Sequence, residues 1–317
     1  MSLAMNRRDF LAVSAGGAAL LAAGRSAAAA WKTKLHKALI GEPTEANLAS
    51  WKAAGFDGLE STDRGASPQK AAAARRLAEK HGMRIHSVLY GWANFNQPAA
   101  VEGDLAAVRT ALRAAQGYGA DTVLLVPCRI GGMPMPEAWQ FDIRFDEKTG
   151  HVEQVVSGDN APYARYIEAH NQAIDTSREA VKRLIPTAEK TGIIIALENV
   201  WNNLWVLPEI TRNFVASFDN PWVRAYFDIG NHVKYAMPEK WICTLGKLIV
   251  KCHVKDFKLK ADGHGGDFVN IRDGSISWPA VRKALDDIGY NGWTSIEGGD
   301  LSLEEHSRRL DLILAGK

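Results

Sequence analysis

The sequence predicts one α/β domain of eight strand–helix units closed into a (β/α)₈ barrel. Short apolar runs rich in β-branched and aromatic residues alternate with longer helical stretches from Leu35 onward. Several of the helical stretches stop at a glycine (Gly55, Gly82, Gly119, Gly192), the residue that ends helices most readily. No G-x-G-x-x-G follows any predicted strand, so the dinucleotide-binding open sheet has no support.

The elements follow in order. Leu35 to Gly41 reads as the first strand, and Thr44 caps a helix that runs to Ala54. Phe56 to Ser61 is the second strand, ending near Glu60, and Pro68 to His81 is an Ala- and Arg-rich helix. Met83 to Tyr90 is the third strand, Val101 to Tyr118 a helix, and Asp121 to Pro127 the fourth strand. A long helix is expected over Ala161 to Thr191, broken at Pro186, where a backbone donor is lost. Later helices are expected at 208–218, 238–247, 277–288 and 302–314. Residues 130–162 form an insertion after strand four, too long for an ordinary strand–helix loop. Phe145 to Val152 reads as a hairpin turning at Lys148-Thr149-Gly150. The insertion is expected to act as a lid or a contact between copies at the catalytic face.

The last four strands carry the chemistry. IIIALENV brings Glu198, VRAYFDIGN brings Asp228, LIVKCHVKD brings His253, and WTSIEGG brings Glu297. Each is an apolar run that opens into polar or glycine-rich sequence, as a buried barrel strand does at its C-terminal end. A barrel gathers its active site from several such ends, so the four side chains are expected to share one site. Three carboxylates and one imidazole suit one hard or borderline divalent ion: Mn, which is favoured, or Mg, Co or Zn. Taken singly, each residue also fits a salt bridge, a cap or a satisfied core position.

These four segments, with the tail IRDGSISWPAVRKALDDIGYNGWTSIEGG, resemble the xylose isomerase-like TIM-barrel superfamily over roughly residues 35 to 315. That group includes sugar and sugar-phosphate isomerases and epimerases, inosose dehydratase and endonuclease IV. The resemblance implies that Glu198, Asp228, His253 and Glu297 hold the metal, and that Glu198 and Glu297 are the catalytic acid–base pair. It implies a metal-dependent isomerase or epimerase that removes a proton next to a carbonyl through an enediolate. A lyase or dehydratase acting on a keto-sugar or 3-keto-glycoside needs the same groups and is the alternative. An endonuclease IV-like nuclease is the remote one, kept by the further histidines His86, His232 and His264.

Substrate contacts are expected from Lys255, which resembles the family's H-x-K-D, and from His232, which stands one residue further from the Asp than in some epimerases of this type. Lys255 reads equally as an ion-pair partner. Glu60 and His86 are expected on the pocket wall. Trp92, Trp201 and Trp205 follow strand ends and offer ring faces for sugar C–H groups, or else simply pack the loops.

With 38 basic and 36 acidic residues the net charge is +2, which points away from a nucleic-acid partner and toward a small-molecule sugar. Three cysteines without close spacing give no disulfide framework, and small buried hydrophobes are expected. Residues 1–30 resemble a twin-arginine signal: Asn6-Arg7-Arg8-Asp9-Phe10-Leu11, an apolar run to Ala23, and small residues from Ala27 to Ala30 before Trp31. The mature barrel, 31–317, is then expected in the periplasm, without a stable membrane anchor and open to homo-oligomerisation. An exported enzyme meets few phosphorylated sugars, and no G-x-x-x-x-G-K-[ST] phosphate cradle is present, so an unphosphorylated substrate is expected.

Overall fold

The computed structural model describes residues 31–317. The expected export signal over 1–30 lies outside the described residues. Eight parallel strands close into a barrel, in the order β1 (His36–Gly41), β2 (Gly58–Ser61), β3 (Arg84–Trp92), β4 (Thr122–Val126), β7 (Ile194–Glu198), β8 (Val223–Asp228), β9 (Ile249–Val254) and β12 (Trp293–Ile296). Closure is made by β12 on β1, with His36 opposite Trp293 and Leu39 opposite Ile296.

Helices α1 (Glu45–Ala53), α2 (Pro68–Lys80), α3 (Val101–Tyr118), α4 (Ala164–Thr191), α5 (Pro208–Ala216), α6 (Pro238–Leu245), α7 (Trp278–Asp287) and α8 (Leu303–Leu314) surround the strands. The hydroxyls of Thr44, Ser67 and Ser302 accept the backbone N–H three residues on and start α1, α2 and α8. Each such cap stabilises by about 1 kcal/mol. Thr33–Lys317 forms one unit, and no described helix is long and apolar enough to cross a membrane.

Strand parity divides the interior. Ile195, Leu197, Ala225, Phe227, Cys252 and Val254 join the large core between strands and helices. Leu124, Val126, Ala196 and Tyr226 form a second cluster on the opposite strand face, inside the barrel. Side chains two apart share a face, so Glu198 follows Ala196, and Asp228 follows Tyr226, toward the mouth. The same period carries Lys251 to His253 and Ser295 to Glu297.

The structure departs from expectation in two places. Residues 161–163 make a separate tight turn, and α4 then runs unbroken through Pro186. The Arg109 guanidinium donates to the Arg183 carbonyl in the turn before that proline, giving the backbone there a side-chain partner. The Gly-rich segment read as a loop is also a hairpin, β10 (Asp256–Leu259) against β11 (Gly266–Val269), with Phe257 opposite Phe268. The expected hairpin in the 130–162 insertion is present as β5 (Arg144–Phe145) and β6 (Val152–Gln154), and Gly150 at its turn adopts φ 75°.

Candidate active site

Four strand ends meet at one point. Glu198 and Asp228 are the last residues of β7 and β8, His253 is the penultimate residue of β9, and Glu297 directly follows β12. Each offers one ligand atom, and these atoms all lie within 4.8 Å of one another. His253 Nδ1 is the hub, at 3.0 Å from Glu198 Oε1, 2.9 Å from Glu297 Oε2 and 4.0 Å from Asp228 Oδ2.

The carboxylates are held on one side and open on the other. Asp228 Oδ1 accepts the backbone N–H of Gly230 at 2.8 Å and of Asn231 at 2.6 Å. Its Oδ2 is buried with no hydrogen-bond partner, the Lys255 ammonium lying 3.6 Å away. An unpaired buried carboxylate oxygen is costly unless something positive completes it. Three such groups and an imidazole around one point fit one hard or borderline divalent cation, which Glu198, Asp228, His253 and Glu297 would hold.

Local sequence explains this order. Asn199 ties β7 to β8: its amide donates to the Asp228 carbonyl at 2.8 Å and accepts the Asp228 N–H at 2.7 Å. Asn231 donates back to the Asn199 carbonyl at 3.0 Å. Gly230 is required because a Cβ there would stand 2.4 Å from Lys255 Cγ. Asp256, fully buried, accepts from the N–H groups of Phe257 and Arg272 and from the Trp278 indole, fixing the loop before α7. Sequence reading missed these positioning roles. The only signal for them was polar residues packed directly after the ligand candidates.

Electrostatics separate the acids. Burial pushes Glu198 up to about 7, although His253 pulls the other way. Burial raises Asp228 to about 6 against the pull of Lys255. Burial also disfavours the charge on Glu297, but His253 and Lys255 outweigh it and hold that carboxyl well below the usual range. Lys255 Nζ lies 3.0 Å from Glu297 Oε1, 3.6 Å from Asp228 Oδ2 and 3.2 Å from Asn231 Oδ1. The ion-pair reading of Lys255 therefore describes its contacts, and it stands at the quartet's edge where a substrate oxygen could also reach it.

The two expected wall residues, Glu60 and His86, and the expected substrate contact His232 have other partners. Glu60 is 0% exposed and sits behind His253, accepting from Nε2 at 2.6 Å and from the Ser87 hydroxyl at 3.0 Å. His86, also fully buried, bonds Ser295 and Ser87 at 2.9 Å each and stacks on Trp293. Both face inward but lie deeper along their strands than the mouth. His232 packs against Tyr235 and Trp241, and burial pushes it down to about 3. The extra residue before it leaves Asn231 beside Lys255 instead.

The tryptophans also divide. Trp205 is fully buried against Phe214, a core position. Trp92 ends β3 at 38% exposure, with the Arg129 guanidinium 4.1 Å from its ring centre. Trp201 donates its indole N–H to the Asn231 carbonyl and carries the Lys234 ammonium 3.6 Å from its ring centre.

Known proteins give the same picture of the fold. The chain resembles, among solved structures, 3-keto-D-glucoside 4-epimerase YcjR of E. coli, with TM-score 0.65 and 12% identity, over 90% of this chain and 100% of that one. A D-allulose 3-epimerase from Methylomonas sp., solved in complex with D-allulose, superposes with TM-score 0.60 at 18% identity, over 89% and 91% of the two chains. The IOLI protein, solved with a binding zinc atom, gives TM-score 0.63 at 16% identity, over 88% and 96%. In sequence, an uncharacterised protein of Methanocaldococcus jannaschii, MJ1311, is 28% identical over 137 residues, which are 41% of this chain and 45% of that protein's length. The family model described as "Xylose isomerase-like TIM barrel" matches residues 48–311, and the chain belongs to that family.

Proposed function

We propose that the protein is a divalent-metal-dependent sugar isomerase or epimerase acting on an unphosphorylated sugar. The observation that carries this reading is the convergence of two glutamates on His253 Nδ1, at 3.0 Å for Glu198 and 2.9 Å for Glu297, with Asp228 at 4.0 Å. Pairs of carboxyls in contrasting environments are how one site runs acid and base steps together. A divalent ion, Mn in the first instance, held by Glu198, Asp228, His253 and Glu297 would supply Lewis-acid polarisation of the substrate carbonyl.

The protein's own groups do the rest. One glutamate takes the proton from the carbon next to the carbonyl, and the other is placed to return one. Return to the opposite face of the same carbon inverts it; return to the neighbouring carbon exchanges aldose and ketose. Lys255 keeps Glu297 ionised and oriented from 3.0 Å. Glu60 accepts the Nε2 proton of His253, leaving Nδ1 to face the carboxylates. The reading also draws on the activities of structural neighbours, a 3-keto-D-glucoside 4-epimerase and D-allulose 3-epimerases. The twin-arginine-like segment over residues 1–30 supports a periplasmic address, where sugars are mostly unphosphorylated.

The test uses Mn-loaded protein with unphosphorylated ketohexoses and a 3-keto-glycoside in deuterated water, followed by NMR. Deuterium should enter the carbon next to the carbonyl while the skeleton stays intact. Release of an aglycone from the same position would convert the assignment to a lyase, and no exchange with any of these sugars would refute both.

A further inference from the structure

A chamber is lined by residues that follow three of the quartet's strands. It has a volume of about 420 Å³ and is walled by Met133, Met135, Glu137 and Trp139 of the insertion, by Trp201, and by Lys234 and Tyr235 beyond β8, with Phe257 and Gly266 of the β10–β11 hairpin. Three metal-ligand strands lead directly into this wall: Glu198 is followed by Trp201, Asp228 by Lys234, and His253 by Phe257. Ring contacts through Phe268 link the two places. Lys255 Nζ, 3.0 Å from Glu297, lies 5.1 Å from the centre of the Phe268 ring. Phe268 in turn lies 5.0 Å from Trp201 and 5.3 Å from Phe257.

The roof is made by two excursions that meet. Trp139 of the insertion stacks on His264 of the β10–β11 hairpin, ring centres 4.3 Å apart and nearly parallel. Trp139 is still 47% exposed, so an aromatic surface stays open at the rim. The wall mixes ring faces and thioethers with one ammonium, Lys234, and one carboxylate, Glu137. Among the described residues Lys234 has the Trp201 and Tyr235 rings beside it and no carboxylate within ion-pair distance. One cation balanced by one anion is a poor phosphate cradle. Aromatic faces with single polar groups of both signs suit a ring with C–H faces and hydroxyl edges.

We propose that this chamber binds the second ring of a glycoside whose first ring reacts at the quartet, so that the natural substrate is a two-ring glycoside and not a free monosaccharide. This rests on the sugar isomerase or epimerase reading, and the experiment separates the two. The full chain, Mn-loaded, is titrated calorimetrically with methyl glucosides (one ring) and with maltose and cellobiose (two rings). At least one two-ring sugar should bind about tenfold or more tightly than its one-ring counterpart. Trp139→Ala, and independently Lys234→Gln, should erase that advantage while one-ring binding stays unchanged. Equal affinity for one- and two-ring sugars, no binding of any of them, or equal losses for both classes in the variants would overturn the proposal. Deuterium exchange on keto forms of the same sugars reads the activity separately. A ring-number preference without exchange keeps the chamber and sinks the isomerase reading; exchange without the preference does the reverse.

Discussion

Two layers of the barrel hold the same residue types with opposite fates. At the mouth, Glu198, Glu297 and Asp228 surround His253, and the buried Asp228 Oδ2 has no hydrogen-bond donor. One layer below, Glu60 and His86 are as deeply buried, but their polar atoms are served by Ser87, Ser295 and His253. The lower layer is a completed network, and the upper one leaves an oxygen open for the proposed ion. Buried polarity alone therefore does not mark a site; buried polarity left open does.

The largest expected effect attacks the upper layer. Glu198→Gln or Glu297→Gln keeps shape but removes proton transfer, and deuterium uptake should fall about 10²–10⁴-fold. A loss under threefold for both would show that the acid–base pair lies elsewhere. Next comes the ion: chelation should abolish exchange and added Mn restore it, while His253→Ala should lose bound metal by elemental analysis.

The third test probes the join between layers. If Glu60 orients His253, Glu60→Gln should weaken metal affinity about 10–100-fold with the quartet intact. A rise in KM at unchanged metal affinity would instead return Glu60 to the pocket wall. The smallest effect concerns a histidine outside both layers. His232 ionises near 3 in the folded protein against 6.5 for the free side chain. The unfolded chain then binds more protons between these values, so stability should be lost as pH falls through 6.5 toward 3. His232→Gln should flatten that part of a melting-temperature profile; an unchanged slope would mean that His232 is accessible and ordinary.

The barrel and the convergence of Glu198, Asp228, His253 and Glu297 were legible because strand ends carry a local signature, an apolar run opening into polar sequence. Depth was not legible. Period-2 alternation says that Glu60 and His86 face inward, but not how far along the strand the mouth begins. That height depends on stagger between neighbouring strands, such as the shift between β2 and β3 after Leu59, which no single segment records. The β10–β11 hairpin was hidden for another reason. Asp262, Gly263, Gly265 and Gly266 look like loop, and the pairing is carried by Phe257 and Phe268 on either side of that run. Pro186 misled because one missing donor did not stop the helix, whose buried face runs on to Ala188.

The pairing of β12 with β1 has a consequence for assembly. Glu297 follows the strand that joins the last part of the chain to the first, with His36 opposite Trp293. The fourth ligand can reach its place only when the two ends of the fold have found each other. Such long-range pairing is costly in chain entropy before it is rewarded. On the metal-dependent reading, ion uptake would count finished molecules: a chain arrested before the seam closes would have the first three ligands but no complete cage, and metal stoichiometry would assay the folded fraction.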